Sequence, residues 1–230
     1  MFNVTEKNNI DKSLFENIEG IFFDMDGTLL DSMWLWKAID IEYLHMHGAE
    51  YEEGLQENIA GMSFHQTAEY FKEHFGIKDP IEKMKDDWNQ MAMDKYKFEV
   101  TLKKGAKEFL DILKSKNIKM AIGTSNSVEL TDAALDSTGI RDYFDVVLTG
   151  SEILKGKPDP YIYLECAKRT GVDVNNCLVF EDIVSGIKAG KSAGMRVIAV
   201  DDDFSKGEVS AKRELSDMYI NDFTEICDCF

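Results

Sequence analysis

Two aspartates, Asp24 and Asp26, close the apolar run Ile21-Phe22-Phe23 and are followed at once by Gly27 and Thr28. Side chains alternate across a strand, so residues two apart face the same way. A pair at a strand's end can therefore converge on one cation and one substrate. Carboxylates so placed have two kinds of work open to them. One binds a cation and attacks an electrophile, while the other carries a proton to or from a leaving group. Gly27 and Thr28 allow the tight turn that keeps the chain beside such a site.

Three further segments carry suitable side chains. Thr124-Ser125-Asn126 follows the strand-like Lys119-Met120-Ala121-Ile122-Gly123, and Gly156-Lys157-Pro158-Asp159-Pro160 precedes a helical stretch. Glu181-Asp182 ends the apolar run from Cys177 to Phe180 and is followed by Ser185-Gly186. Each has a plain reading in isolation: a helix cap, with Asn126 capping a helix from Val128; an exposed turn; a solvated acidic surface.

Together with Asp24-Met25-Asp26-Gly27-Thr28, and in this order, the four segments resemble the signatures of the haloacid dehalogenase superfamily of phosphohydrolases and phosphomutases, over about residues 19 to 202. The resemblance implies a catalytic set of Asp24, Asp26 and Lys157. Asp24 would be the nucleophile, forming an aspartyl phosphate and also contacting Mg²⁺. Asp26 would protonate the leaving oxygen and then activate water, meeting the metal through its backbone carbonyl. Thr124, assisted by Ser125 and Asn126, would bind the phosphoryl group, and Lys157 would hold that group to Asp24 while neutralising transition-state charge. Asp182 is implied as a direct Mg²⁺ ligand. Glu181 would act directly, through water, or by fixing Lys157.

These residues need a scaffold, and the second half of the chain supplies its pattern. Five short strand-like runs, Gly20 to Phe23, Lys119 to Gly123, Val146 to Leu148, Cys177 to Phe180 and Arg196 to Val200, alternate with apolar-periodic helical stretches. That pattern predicts an α/β fold, a Rossmann-like parallel sheet with helices on both faces, whose ligands bind at the carboxyl ends of the strands. Residues 33–104 break the alternation and read as about four helices, the all-helical cap implied by the family. The expected division is a polar arm over 1–16, partly ordered at best, a discontinuous core of 17–32 and 105–230, and the cap. Trp34, Trp36, Ile39 and Tyr43 are expected to pack the cap near its hinge, with Trp36 also a candidate lining residue of the cleft.

At 230 residues and 44% hydrophobic content the chain can bury a sizeable core. A formal charge of −17 opposes nucleic-acid binding, which draws its affinity from clustered Lys and Arg. With no apolar run long enough to cross a bilayer and no secretory pattern at the start, the protein is expected to be soluble and cytoplasmic, with no membrane partner. No oligomeric state is legible, and a monomer suffices. The four cysteines read as reduced thiols. His45 and His47 lie two apart on a helix and cannot share a metal ion, and all four histidines read as surface or packing residues. Asp201-Asp202-Asp203 reads as a solvated acidic loop.

Several reactions share such a scaffold. A dehalogenase would need neither Asp26 nor the Glu181-Asp182 pair, and a non-catalytic phosphate sensor need not keep the whole set. A β-phosphoglucomutase-like mutase is the main alternative to a phosphatase. Against it, Trp36 stands where the mutases carry a histidine, and Phe64 replaces the arginine that grips the second phosphate. Lys72, Lys83 and Lys85 are the candidate substitutes for that anchor. The expected activity is thus Mg²⁺-dependent hydrolysis of a small phosphorylated metabolite, a sugar phosphate or similar phosphomonoester.

Overall fold

The computed structural model describes residues 10–153 and 155–230. The chain runs through β1 (Gly20–Phe23) and β2 (Leu30–Asp31) into four helices, α1 (Met33–Met46), α2 (Leu55–Ile59), α3 (Phe64–Phe75) and α4 (Ile81–Phe98), and returns by β3 (Thr101–Leu102). Helices and strands then alternate: α5 (Ala106–Ser115), β4 (Lys119–Gly123), α6 (Val128–Ser137), β5 (Val146–Leu148), α7 (Tyr161–Thr170), β6 (Cys177–Glu181), α8 (Val184–Ser192), β7 (Arg196–Val200), α9 (Val209–Leu215) and β8 (Met218–Ile220).

Six strands form one sheet in the order β5-β4-β1-β6-β7-β8, every pairing parallel. β1 is buried at all four positions because helices cover both faces, which is why its sequence is a continuous apolar run and not an alternating one. On one face Phe23 stacks on Phe180 at 5.2 Å, and Phe109 and Phe223 pack against both. Each such ring contributes about 1.5 to 3 kcal/mol on burial. Phe22, Val179, Tyr163 and Ile187 belong to the core on the other face. The sixth strand, β8, was not expected: its Met-Tyr-Ile run lacks the β-branched pair that marks the equally short β5. β6 also extends one residue further than expected, to Glu181.

β2 and β3 pair antiparallel, Leu30 with Leu102 and Asp31 with Thr101, so the chain enters and leaves the helical insertion side by side. Inside the insertion Tyr43 and Phe71 each meet Trp88 edge to face and lie tilted against one another. Ser63 and Gln66 close a capping box that starts α3 at the cavity-facing loop. α4 lies along α6, and the Ser137 hydroxyl donates to Tyr96 O at 2.8 Å, so one apolar core continues from the sheet layer into the insertion.

The described part of the N-terminal arm is more ordered than its polar sequence suggests. Lys12–Phe15 forms a 3₁₀ turn, and Phe15 is buried against Phe230. The first nine residues of the arm lie outside the described residues. His47, His65 and His74 each sit beside a carboxylate, Asp79, Glu69 and Glu52 respectively. All four cysteines are free thiols. Among the described residues no helix is long and apolar enough to cross a membrane.

Candidate active site

The carboxyl ends of β1, β4 and β6 bring the expected residues to one edge of the sheet. Asp24 continues the ladder beyond β1, its N–H donating to Phe180 O at 3.0 Å, and is 7% exposed. The Lys157 ammonium donates to Asp24 Oδ1 and lies 2.6 Å from Glu181 Oε1. The Tyr163 hydroxyl, from α7, donates to the same Glu181 oxygen. Of the roles open to Glu181, the contact seen is the one that fixes Lys157. Two glycines make the cluster fit. A Cβ on Gly186 would lie 2.0 to 2.1 Å from the Glu181 carboxyl group, and one on Gly27 would lie 2.3 Å from Asp182 Oδ2, at a φ of +82° that side chains rarely adopt.

Asp182 is held from two sides. Thr28 Oγ1 donates to its Oδ1 at 3.1 Å. Beneath it the fully buried Lys212 of α9 donates to Asp182 O at 2.9 Å, Val200 O at 3.0 Å and Ser205 Oγ at 2.9 Å. Lys212 carries no motif, being a lone lysine on a short helix, and only its apolar neighbours could have hinted at burial.

Burial pushes Asp24 up to about 8, opposed chiefly by Lys157. Burial and the charges of Asp24 and Glu181 drive Asp182 well above the usual carboxylate range. Burial also disfavours the charged form of Lys157, yet the two carboxylates beside it outweigh this and hold it protonated. Asp24, Glu181 and Asp182 offer oxygens within 4.8 Å of one another. Glu181 Oε2 is buried with no hydrogen-bond partner among the described residues. An all-oxygen set with excess negative charge and an orphaned acceptor fits a hard divalent cation such as Mg²⁺.

Asp26 is not free, as a proton carrier was expected to be. Ser32 Oγ donates to its Oδ1 at 2.6 Å, the Tyr96 hydroxyl donates to the same oxygen, and Asn126 Nδ2 donates to Oδ2 at 2.9 Å. Asn126 also donates to the Tyr96 hydroxyl at 2.8 Å. Ser127, not Asn126, caps α6. Asn126 is thus bonded to Asp26 and Tyr96, and with Thr124 and Ser125 it lines the cavity. Burial raises Asp26 above the ordinary carboxylate value, and the hydrogen bonds from Ser32, Tyr96 and Asn126 oppose the rise. Tyr96 lies 70 residues from Asp26 on the insertion's last helix, a separation that hid its part in the site.

A cavity of about 170 Å³ opens from Asp24, Asp26, Lys157 and Asp182 toward the insertion. Trp36, Phe64 and Trp88 form its aromatic wall, Trp36 and Phe64 edge to face at 5.4 Å and Phe64 and Trp88 at 5.9 Å. The positions where a histidine and an arginine would mark a mutase are therefore apolar wall. Lys72, Lys83 and Lys85 do not line the cavity; they bind Asp79 O, Asp79 with Asp87, and Glu82. The acidic loop after β7 also differs from expectation. Asp202 is 3% exposed, caps the turn after β7 by accepting from Phe204 N at 2.9 Å, pairs with Lys103 at 2.6 Å and reaches the cavity lining.

The profile of the haloacid dehalogenase-like hydrolases matches residues 21–200. A phosphorylated carbohydrates phosphatase of Thermotoga maritima is 35% identical over 183 residues, 79% of this chain and 84% of the relative. A fructose-1-phosphate phosphatase of Escherichia coli is 30% identical over 192 residues, 81% of this chain and 98% of the relative. Among solved structures, CbbY from Rhodobacter sphaeroides in complex with phosphate superposes with a TM-score of 0.81 at 24% identity, covering 91% of this chain and 96% of that one. β-Phosphoglucomutase from Clostridium difficile gives 0.78 at 23%, covering 91% and 93%. With its motif residues gathered at one sheet edge and this profile spanning most of its length, the chain belongs to the haloacid dehalogenase-like hydrolase family, as an enzyme of its phosphohydrolase branch.

Proposed function

We propose that the protein is an Mg²⁺-dependent phosphatase acting on a small phosphorylated carbohydrate through an aspartyl-phosphate intermediate. The observation that carries this is the junction of Asp24, Lys157 and Asp182 with a cavity whose far wall is aromatic and, among the described residues, carries no second cationic anchor. Two relatives named for phosphorylated carbohydrates support the substrate class.

In this reading Asp24, Glu181 and Asp182, with the backbone carbonyl of Asp26, would hold the cation, which when bound would offset the repulsion between carboxylate and phosphoryl oxygens. Lys157 keeps Asp24 oriented and meets charge on the phosphoryl oxygens, and Thr124 with Ser125 holds those oxygens from the other side. Asp24 attacks phosphorus as the bond to the leaving oxygen breaks, and Asp26 gives that oxygen a proton. Asp26 then takes a proton from water, whose oxygen attacks phosphorus, releasing inorganic phosphate and regenerating Asp24. Release of Asp26 from Ser32, Tyr96 and Asn126 precedes its proton transfer.

Residues 33–104 act as a lid over the core of 17–32 and 105–230. The β2–β3 ribbon is the joint, and Gln66 Oε1, accepting from Gly156 N at 3.3 Å, is a latch beside Lys157. A screen of phosphorylated metabolites with Mg²⁺, read both for inorganic phosphate and for isomerised product, tests the proposal. Phosphate release from hexose or hexitol monophosphates, lost with chelator and in Asp24→Asn, is expected. Accumulation of glucose 6-phosphate from β-glucose 1-phosphate with little free phosphate would establish a mutase instead.

A further inference from the structure

One buried carboxyl group of the cavity takes no part in the chemistry described. Asp40, on α1, is 6% exposed and lines the cavity on the insertion side. Gln56 Nε2, from α2, donates to its Oδ2 at 2.6 Å. Gln56 is the hydrogen-bond donor seen at the Asp40 carboxyl group among the described residues, in a wall otherwise built largely from Trp36, Phe64 and Trp88. A carboxyl group set beside aromatic rings with one donor for its two oxygens is costly, and a hydroxyl donor from a ligand in the cavity offsets that cost. Among the described residues no cation pairs with the Asp40 carboxyl group.

The cavity's charge adds a second constraint. Its lining carries Asp40, Glu57, Asp202 and Glu208 besides the cluster at Asp24, and the cation among its residues is Lys157, which Asp24 and Glu181 already engage. A phosphoryl group can be met by Lys157, backbone amides and the cation. A second anionic group at the far end would face carboxyl groups and aromatic rings.

We propose that Asp40, positioned by Gln56, is the residue that reads a hydroxyl group of the leaving alcohol, so that the enzyme selects monophosphates of neutral polyhydroxy alcohols over bisphosphates and carboxylated phosphomonoesters. The proposal rests on the phosphatase reading and names its specificity determinant. Asp40 Oδ1 accepts from the hydroxyl, the aromatic wall packs on the carbon skeleton, and Gln56 fixes the carboxyl plane. Burial pushes Asp40 up to about 7, opposed by the Gln56 bond, and the protonated fraction can also donate to the oxygen of the same hydroxyl.

The test compares kcat/KM for a hexitol monophosphate, phosphoglycolate, fructose 1,6-bisphosphate and p-nitrophenyl phosphate in the wild type, Asp40→Asn and Asp40→Leu. In the wild type the hexitol monophosphate should exceed phosphoglycolate and the bisphosphate at least tenfold. In Asp40→Leu the ratio of hexitol to aryl phosphate should fall by about tenfold to a hundredfold, because a site built to bond a hydroxyl loses that discrimination when the partner is removed. Asp40→Asn, which keeps the shape and a polar atom at the site, should lose less. A preference for the carboxylated or doubly phosphorylated substrate, or an unchanged ratio in both variants, would overturn the assignment of Asp40 while leaving the phosphatase reading intact. Absence of Asp24-dependent turnover on every substrate, the aryl phosphate included, would overturn both.

Discussion

At the scale of single residues, the chemistry divides by what each carboxyl group touches. Asp24 meets a lysine, and Asp26 meets three neutral donors from three elements, Ser32, Tyr96 and Asn126. Asp26→Asn preserves size while removing proton transfer, and turnover of an alkyl phosphate should fall roughly a hundredfold. The loss should be smaller for p-nitrophenyl phosphate, whose leaving group needs little protonation; equal losses would remove the role. Asp40 gives a pH prediction. Its carboxyl lies near 3.8 ordinarily and is raised to about 7 by burial, so between those values the native state keeps a proton that the unfolded chain has released. Its stabilising contribution is whole below the lower value and lost as pH rises through the upper one. Asp40→Asn cannot ionise and should gain on the wild type by at most about 4 kcal/mol between about pH 4 and pH 8, measured by urea unfolding at both. Parallel stabilities at the two pH values would contradict it. Asp24, Asp26 and Asp182 were legible because each ends or follows an apolar run, and Lys157 because its turn leads into a helix at its place in the order of the four segments. Tyr96, Tyr163, Lys212 and Asp40 were not, because each is one polar residue on a helix whose orientation to the site is set by tertiary packing.

Among the elements, the strands that carry motifs were visible as apolar runs, and α1, α3 and α4 of the insertion as periodic stretches between breakers, while the five-residue α2 was too short to place. β2 and β3 were hidden because two residues leave no periodicity to read, and β8 because Met218-Tyr219-Ile220 lacks the β-branched pair that marks the equally short β5. α9 earns its place through Lys212, which joins β6, β7 and the turn after β7 by three hydrogen bonds behind Asp182. Burial lowers the Lys212 pKa, and the charges of Asp182, Asp201, Asp202 and Glu208 oppose this. Lys212→Met keeps the stem and strands three buried acceptors, so a loss of about 3 kcal/mol in urea unfolding is expected. Mg²⁺ affinity, measured by calorimetry, should weaken in the same variant because the Asp182 backbone loses its anchor. An unchanged midpoint would show that water replaces the ammonium without cost.

For the whole molecule, the sheet presents Asp24 at the central edge, and the insertion closes an aromatic chamber above it with Gly61 set against Ser185 and Gln66 against Gly156. Phosphoryl transfer to Asp24, rather than direct attack by water, is the claim on which the arrangement turns. The most direct measurement is acid-quenched mass spectrometry of the peptide containing Asp24 during turnover with Mg²⁺. The expected result is a transient gain of one phosphoryl group on Asp24 in the wild type, persisting longer in Asp26→Asn and absent in Asp24→Asn. Full phosphate release by Asp24→Asn, or a phosphoryl group found on another residue, would contradict the account.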